Sequence, residues 1–314
     1  SRFEDGPRIW TKGDAGAAIA NAPRKLKGRL EMGGQEHFYL EGMAAMAQPQ
    51  EDGMTVHSST QHPTEIQHKV AENLGVPFNA VTVEVRRMGG GFGGKESQGN
   101  ALAIACSVAA SLTGKPCKMR YDRDDDMIMT GKRHDFRVEW QVGHDGEGKI
   151  RAVDLNFLAR CGYSADLSLG VNDRTMFHAD SSYFYPDAVI RSRRLRTDTC
   201  SNTAFRGFGG PQGMLAAERM IDAIAITLGK DPLEVRKLNF YDGEHNLTPY
   251  GMLVEEYQLM HDLIAEIEEK TEGRVAFKLF PSGQLGNEAQ QIGALQGGLQ
   301  EMLITIQVAI WGTV

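Results

Sequence analysis

Cysteine is scarce in this chain, with four in 314 residues. Cys106, Cys117, Cys161 and Cys200 are widely spaced and form no C-x-x-C pair. That argues against zinc or iron–sulfur ligation by this chain alone and leaves buried, reduced thiols as the expectation. Long apolar runs are missing too. Nothing reaches the roughly 18 residues that span a bilayer, and the opening Ser1-Arg2-Phe3-Glu4-Asp5 carries no signal-peptide core. A cytoplasmic protein with no membrane partner is expected. Basic excess is absent as well: 41 acidic side chains outnumber 34 lysines and arginines for a formal charge of -7, so nucleic acid is not expected as a partner. The histidines His37, His57, His62, His68, His134 and His178 show no H-E-x-x-H or i,i+4 pairing, and none is assigned to a metal.

What is present is a globular composition, 41% hydrophobic, enough to bury one large domain or two smaller ones. The lack of an initiating methionine, and of any terminating signal at Trp311-Gly312-Thr313-Val314, fits a segment of a longer polypeptide. Ile66, Val70 and Leu74 recur at four-residue steps between Pro63 and Gly75 and predict a short amphipathic helix. Val81 to Val85 alternates like a half-buried strand, and the small apolar run from Asn100 to Leu112 reads as a buried helix. Two alternating stretches, Val138 to Val142 and Ile150 to Phe157, flank His144-Asp145-Gly146-Glu147-Gly148 and predict a hairpin; a further strand is expected over Val189 to Leu195. Met214 to Leu228 reads as a helix ended by Gly229, Asp231-Pro232 opens another, and Glu255 to Lys270 a third. Strands and helices mixed without strict βαβ repetition predict an α+β fold. The run Asp122-Arg123-Asp124-Asp125-Asp126 is expected to be a solvated turn with internal ion pairing.

Two glycine-rich stretches carry the chemistry. Gly89-Gly90-Gly91-Phe92-Gly93-Gly94 leaves so little side-chain bulk that backbone N–H groups can face a ligand, as in an anion nest at a helix entrance; a tight turn whose glycines serve close packing is the alternative. Lys95 is followed by Glu96, not Ser or Thr, so the block is not a P-loop, and no ribose-binding acid supports a dinucleotide site. The second stretch, Ser201 to Gly213, places Phe205, Arg206 and Phe208 before a helix. The phenylalanines there are either core residues or a stacking platform. Arg206, set among small residues, is expected to hold a fixed anionic or carbonyl partner.

Taken together, Gly34-Gln35-Glu36-His37-Phe38-Tyr39-Leu40-Glu41, Ser59-Thr60-Gln61, Arg87 to Glu96 and Ser201 to Gly213 stand in the order and approximate spacing of molybdenum hydroxylases. Over residues 1–270 the chain resembles the xanthine dehydrogenase family, specifically the first half of its molybdopterin-binding domain. The resemblance implies that Gln61, Phe92, Gly93 and Arg206 line a molybdopterin cofactor, with Gln61, Phe92 and Arg206 near the molybdenum. It implies that Glu96 hydrogen-bonds a purine, that Arg174 meets a purine oxygen, and that Phe208 packs on the ring. Glu96 and Arg174 are the implied catalytic pair, because attack on a purine carbon pushes negative charge onto the ring, where a fixed arginine stabilises it most in the transition state. Aldehyde oxidases of the family generally lack that charged pair. The implied reaction is hydroxylation of hypoxanthine or xanthine toward urate, with oxygen from water, in purine catabolism. Electrons would leave through the pterin to 2Fe-2S clusters and FAD on a partner subunit or missing region, since no residue here binds either.

The resemblance is incomplete. The family's glutamate base lies several hundred residues downstream in a Gly-Glu-Pro-Pro type segment that does not occur here, so the chain alone is expected to be inactive. From about Thr271 the pattern changes: Arg274 to Phe280 alternates like a strand, Pro281-Ser282-Gly283 marks a turn, and the stretch resembles an early segment of TRAP-transporter solute-binding proteins. Residues 1–270 and a divergent tail over 271–314, a fragment or a fusion, are the expected division.

Overall fold

The computed structural model of the chain describes residues 6–272. The expected strand and turn between Arg274 and Gly283 lie outside the described residues. Two sheets organise the rest, in chain order β1 Arg8–Lys12, α1 Ala15–Asn21, β2 Arg24–Met32, β3 Ala44–Gln50, β4 Gly53–Ser58, α2 Pro63–Leu74, β5 Val81–Glu84, α3 Asn100–Thr113, β6 Cys117–Arg120, α4 Arg123–Met129, β7 Phe136–His144, β8 Ile150–Gly162, α5 Ser168–Phe177, β9 Asp187–Arg196, α6 Gly210–Leu228, α7 Pro232–Asn239 and α8 Leu259–Lys270. The fold is α+β, as the residue pattern predicts.

The first sheet has five strands in the order β1-β9-β8-β7-β2. Along β7 the side chains alternate strictly, with Phe136, Val138, Trp140 and Val142 turned inward and Arg137, Glu139 and Gln141 outward. The predicted hairpin is the antiparallel β7–β8 pair. Strands β8 and β9 run parallel, and α5 makes the crossover between them. The inward residues share one core with Met220, Ile221 and Ile224 of α6, Val235 of α7 and Ile264 of α8. Helix α6 begins at Gly210, four residues before its apolar stripe, because Pro211 starts a turn without needing an N–H partner. It ends at Gly229 in the left-handed conformation at φ 65.

The second sheet, β5-β4-β3-β6, is an insertion. Its strands fall between β2 and β7, which are themselves paired from Met32↔Phe136 onward. One face is covered by α2 and α3, and the side chains there are small: Ala45 and Ala47 of β3 meet Ala103, Cys106 and Ala110 of α3, with Ile66, Val70 and Leu102 filling the rest. This core is separate from that of the first sheet. Of the cysteines, Cys106 and Cys161 are buried, Cys117 and Cys200 half-buried, and all four are free. No described helix is long and apolar enough to cross a membrane.

The acidic run is not a solvated turn. Asp122 caps α4 by accepting from the Asp125 amide, and Asp126 faces inward, accepting from the Tyr39 hydroxyl (3.0 Å) and the Met43 amide (2.7 Å). A carboxylate with two such donors tolerates burial that an unpaired one would not. Arg123 donates to the carbonyls of Tyr39 and Leu40, so α4 holds the segment that joins the two sheets.

A second buried carboxyl sits beyond α5. Asp180 accepts from the Tyr241 hydroxyl, and burial pushes its pKa up to about 6 against the pull of that bond and of Lys12. Folding therefore favours the protonated acid, and the stability it confers is present at low pH and lost as pH rises from the ordinary 3.8 through about 6. Asp180→Asn removes this penalty. Its stability relative to the parent should shift in the variant's favour by about 3 kcal/mol across that window, read from denaturant melts at pH 4 to 7; a constant difference would refute it.

Candidate active site

Three of the sequence motifs converge on one residue, Lys95. Its amide donates to Gln61 Oε1 (3.2 Å), and its carbonyl accepts from the Gln61 amide (2.8 Å) and the Thr60 hydroxyl (3.1 Å). Its side chain is 0% exposed, and Nζ donates to the Glu41 carbonyl (2.6 Å), to Glu41 Oε2 (3.2 Å) and to Ser59 Oγ (2.7 Å). The Nζ also lies 4.5 Å from the centre of the Tyr39 ring. Glu41 Oε2 in turn accepts from the Gly89 amide (2.6 Å) and Ser59 Oγ (2.9 Å). The two partners shift in ways that look inconsistent, since both pKa values are lowered. For Lys95, burial outweighs the attraction of Glu41; for Glu41, burial is outweighed by the Gly89, Ser59 and Lys95 donors. The lysine carries the desolvation because its carboxylate partner stays 39% exposed.

The glycine block spans the distance between these anchors. It does not sit directly at a helix entrance, because α3 starts only at Asn100, behind a series of turns. Gly90, Phe92 and Gly93 all have positive φ (95, 50 and 95), and Phe92 is half exposed. A Cβ on Gly91 would lie 2.6 Å from Gln61 Oε1, and one on Gly93 would lie 2.9 Å from the Ala204 carbonyl carbon. Glycine is required here for close approach, which is the packing reading of the block. Gln61 Oε1 is held by the Gly93 amide (2.8 Å) as well as that of Lys95, which leaves the amide end of the side chain free. Among the described residues, neither Gln61 Nε2 nor the amides of Gly91, Phe92 and Gly207 donate to a protein acceptor.

The fourth motif closes the other wall. The Arg206 amide donates to the Phe92 carbonyl (2.9 Å), joining the two glycine-rich loops main chain to main chain. His37 Nε2 lies 2.7 Å from the Ala204 carbonyl, with its ring against Phe205 at 4.5 Å and so close to Gly94 that a Cβ there would fall 2.7 Å from it. Burial lowers the His37 pKa, and its Nδ1 is buried without a partner. Arg133 lies over the Phe205 ring at 3.9 Å, so Phe205 is a packed residue. The expectation for Arg206 is corrected: its side chain is exposed, with no partner among the described residues, because the loop uses its backbone and leaves the guanidinium outside.

The implied substrate residues line up along α5. Phe208, at φ 49, packs on Gly170, where a Cβ would lie 2.9 Å from the ring. Arg174 follows one turn later on the same face of the helix, exposed. Ahead of the helix, Asp166 accepts from Ser97 Oγ and Gln98 Nε2, which brings Glu96 near it. Burial raises the Glu96 pKa; His62 lowers it, and Asp166 and Glu65 add to the rise. Glu96 and Arg174 are not joined to each other, and neither side chain has a polar partner among the described residues. Lys95, Glu41, Ser59 and His37 have no role in the sequence reading. Their only signal is membership of the quoted motifs, and charge next to a glycine block normally reads as surface.

No group of three or more His, Cys, Asp or Glu side chains able to hold a metal ion occurs among the described residues. The cleft suits a metal carried by an organic ligand instead: it offers unpaired amides, one carboxamide and no anionic ligand set. A depression of about 650 Å³ lies elsewhere, on the outer face of the five-stranded sheet among Lys27, Arg29, Glu139, Asp154, Arg191 and Arg193. Its polar, ion-paired lining has none of these features.

Comparison with known proteins agrees with the cleft. The family model described as molybdopterin cofactor-binding domain matches residues 3–240, and that of bacterial extracellular solute-binding protein, family 7, matches 251–314. The chain is 42% identical over 260 residues to a xanthine dehydrogenase of Drosophila subobscura, covering 82% of this chain and 19% of that one. It is 44% identical over 250 residues to a xanthine dehydrogenase/oxidase of Gallus gallus, covering 79% and 18%. The chain thus spans about a fifth of the length of the curated relatives it matches. The solved aldehyde oxidoreductase of Desulfovibrio desulfuricans is similar with a TM-score of 0.75 at 27% identity, covering 86% of this chain and 30% of that one. The chain belongs to the molybdopterin cofactor-binding domain family.

Proposed function

We propose that this chain forms the front wall of the active site of a molybdenum-dependent purine hydroxylase of the xanthine dehydrogenase type. The observation that carries the reading is the meeting of all four motifs at one cleft, with backbone donors free on its surface. The bound molybdopterin would supply the oxidising metal and take up the electrons. Gln61 presents its Nε2 to the group and Phe92 its free amide, Gly93 lines the loop beside them with its own amide holding Gln61, and Arg206 offers an unpaired guanidinium. Glu96, whose carboxyl holds its proton to higher pH than an ordinary glutamate, can donate a hydrogen bond to a ring nitrogen, while Arg174 stabilises charge on a purine oxygen. Phe208 supplies a flat apolar face between them. The residues that complete the pocket, including a base, would come from the rest of the polypeptide, and 2Fe-2S clusters and FAD from there or from a partner. Reduced thiols support a cytoplasmic setting.

The division at about 270 is part of the same proposal. Helix α8 lies in the stretch matched by the solute-binding family, yet Ile264 is buried in the core of the five-stranded sheet and His261 meets the Phe240 ring edge-on at 5.2 Å. That packing supports counting α8 with the first 270 residues.

Molybdenum and pterin content decides the reading. The chain, made in a host that synthesises the cofactor, should retain both when co-expressed with the downstream part of a related subunit, and little alone; retention in neither sample would overturn it. In the complemented protein, Glu96→Gln and Arg174→Ala should each lower purine turnover by about 10²- to 10³-fold while sparing aldehyde turnover. An equal loss on both substrates would favour an aldehyde enzyme. Gly93→Ala, forced to positive φ against the Ala204 carbonyl, should destabilise the chain by about 1–3 kcal/mol, seen as a lower melting midpoint; an unchanged midpoint would show that the two loops are not in contact.

A further inference from the structure

We infer that Lys95, paired with Glu41, is a positioning residue that holds the glycine loop in its cofactor-ready shape; the inference rests on the proposed reading that this loop receives the pterin-bound metal. The loop leaves and re-enters the fold at the two ends of one ion pair. At its start the Gly89 amide donates to Glu41 Oε2 at 2.6 Å, and the Glu41 amide donates back to the Gly89 carbonyl at 3.2 Å. At its end stands Lys95 itself, whose ammonium reaches the same carboxylate at 3.2 Å. Between these points lie three residues at positive φ, which glycine adopts freely at 90 and 93 but which at Phe92 persists only where the surroundings over-determine it. The same lysine also holds Gln61 by main-chain hydrogen bonds in both directions, so loop shape and carboxamide orientation have one origin.

Stability alone does not call for this arrangement. A buried ion pair is commonly matched or exceeded by apolar residues of similar volume, and its retention has to be accounted for by what it orients. Here the ammonium satisfies three acceptors from two chain segments, Glu41 and Ser59, and an apolar side chain would satisfy none. Lysine is almost never fully buried without such partners. Lys95 touches no reacting atom in this proposal; it acts through Gln61 and the loop.

The test compares Lys95→Met, Glu41→Gln and the double variant in the full chain by thermal melting and amide hydrogen exchange. Pterin content is measured in the same variants co-expressed with the downstream part. Lys95→Met leaves Glu41 without its counter-charge and should lower the melting midpoint, and the double variant should recover much of it. Exchange at the bonded amides of Gly93 and Gly94 should nevertheless rise by about tenfold or more in both, with a comparable loss of pterin. If loop protection and pterin recover together with the midpoint in the double variant, the pair is merely structural and the inference fails. Should Lys95→Met not fold, Glu41→Gln and the double variant still give the comparison. If the parent protein holds no pterin, the proposed function falls, while exchange at Gly93 and Gly94 still decides whether the pair orders the loop.

Discussion

An ammonium group sealed from solvent must find its counter-charge and its hydrogen bonds inside the protein, and at Lys95 that demand draws together segments far apart in the chain. Glu41 comes from the link between the two sheets, Ser59 from the end of β4, and Gly89 from the exit of β5. Glu41 is the common partner, bonded to Gly89, to Ser59 and to the lysine itself. The left-handed residues of the glycine block, the orientation of Gln61 and the contact of Gly93 with Ala204 all presuppose this junction.

The cleft divides its tasks between two kinds of support. Its cofactor wall is built from backbone, held by glycines that permit close approach and by a main-chain bond from Arg206 to Phe92. The other side is built on and beside a helix, with Asp166 just ahead of α5 and Gly170 and Arg174 one turn apart on it. Backbone can offer identical donors whatever the side chains, whereas a helix face can be altered one residue at a time.

Much of the scaffold was legible from periodicity. Helices α2, α3 and α6, the β7–β8 hairpin and strand β9 fall where the apolar pattern puts them, since each buries one face against a single core. Strands β2 and β3 and helix α5 were not: Lys and Arg occupy the outward positions of β2, Ala and Gln fill β3, and Asn172, Asp173 and Arg174 interrupt any apolar stripe on α5. Asp126 was misread because burial of a carboxylate depends on donors such as Tyr39 and Met43 that lie over eighty positions away. The same holds for His37 and Lys95, whose partners are distant backbone carbonyls and a single glutamate. The motifs marked where the chemistry lies; which side chain bears the strain was set by tertiary contact.

The insertion of one sheet inside another has a consequence for how the molecule comes to exist. Strands β3 to β6 and helices α2 and α3 occupy a contiguous stretch, residues 44–120, and bury a core made almost wholly from within it, closed by the Ala44↔Arg120 pairing of β3 with β6. Strand β2 must instead find β7 across a hundred intervening residues, and β1 must find β9 across more. Closing such loops carries an entropic cost that local pairing does not, so the inserted unit can condense early while the enclosing sheet waits. The cleft lies on the seam between them. Its assembly therefore depends on the pairings of greatest sequence separation in the fold, β1 with β9 and β2 with β7.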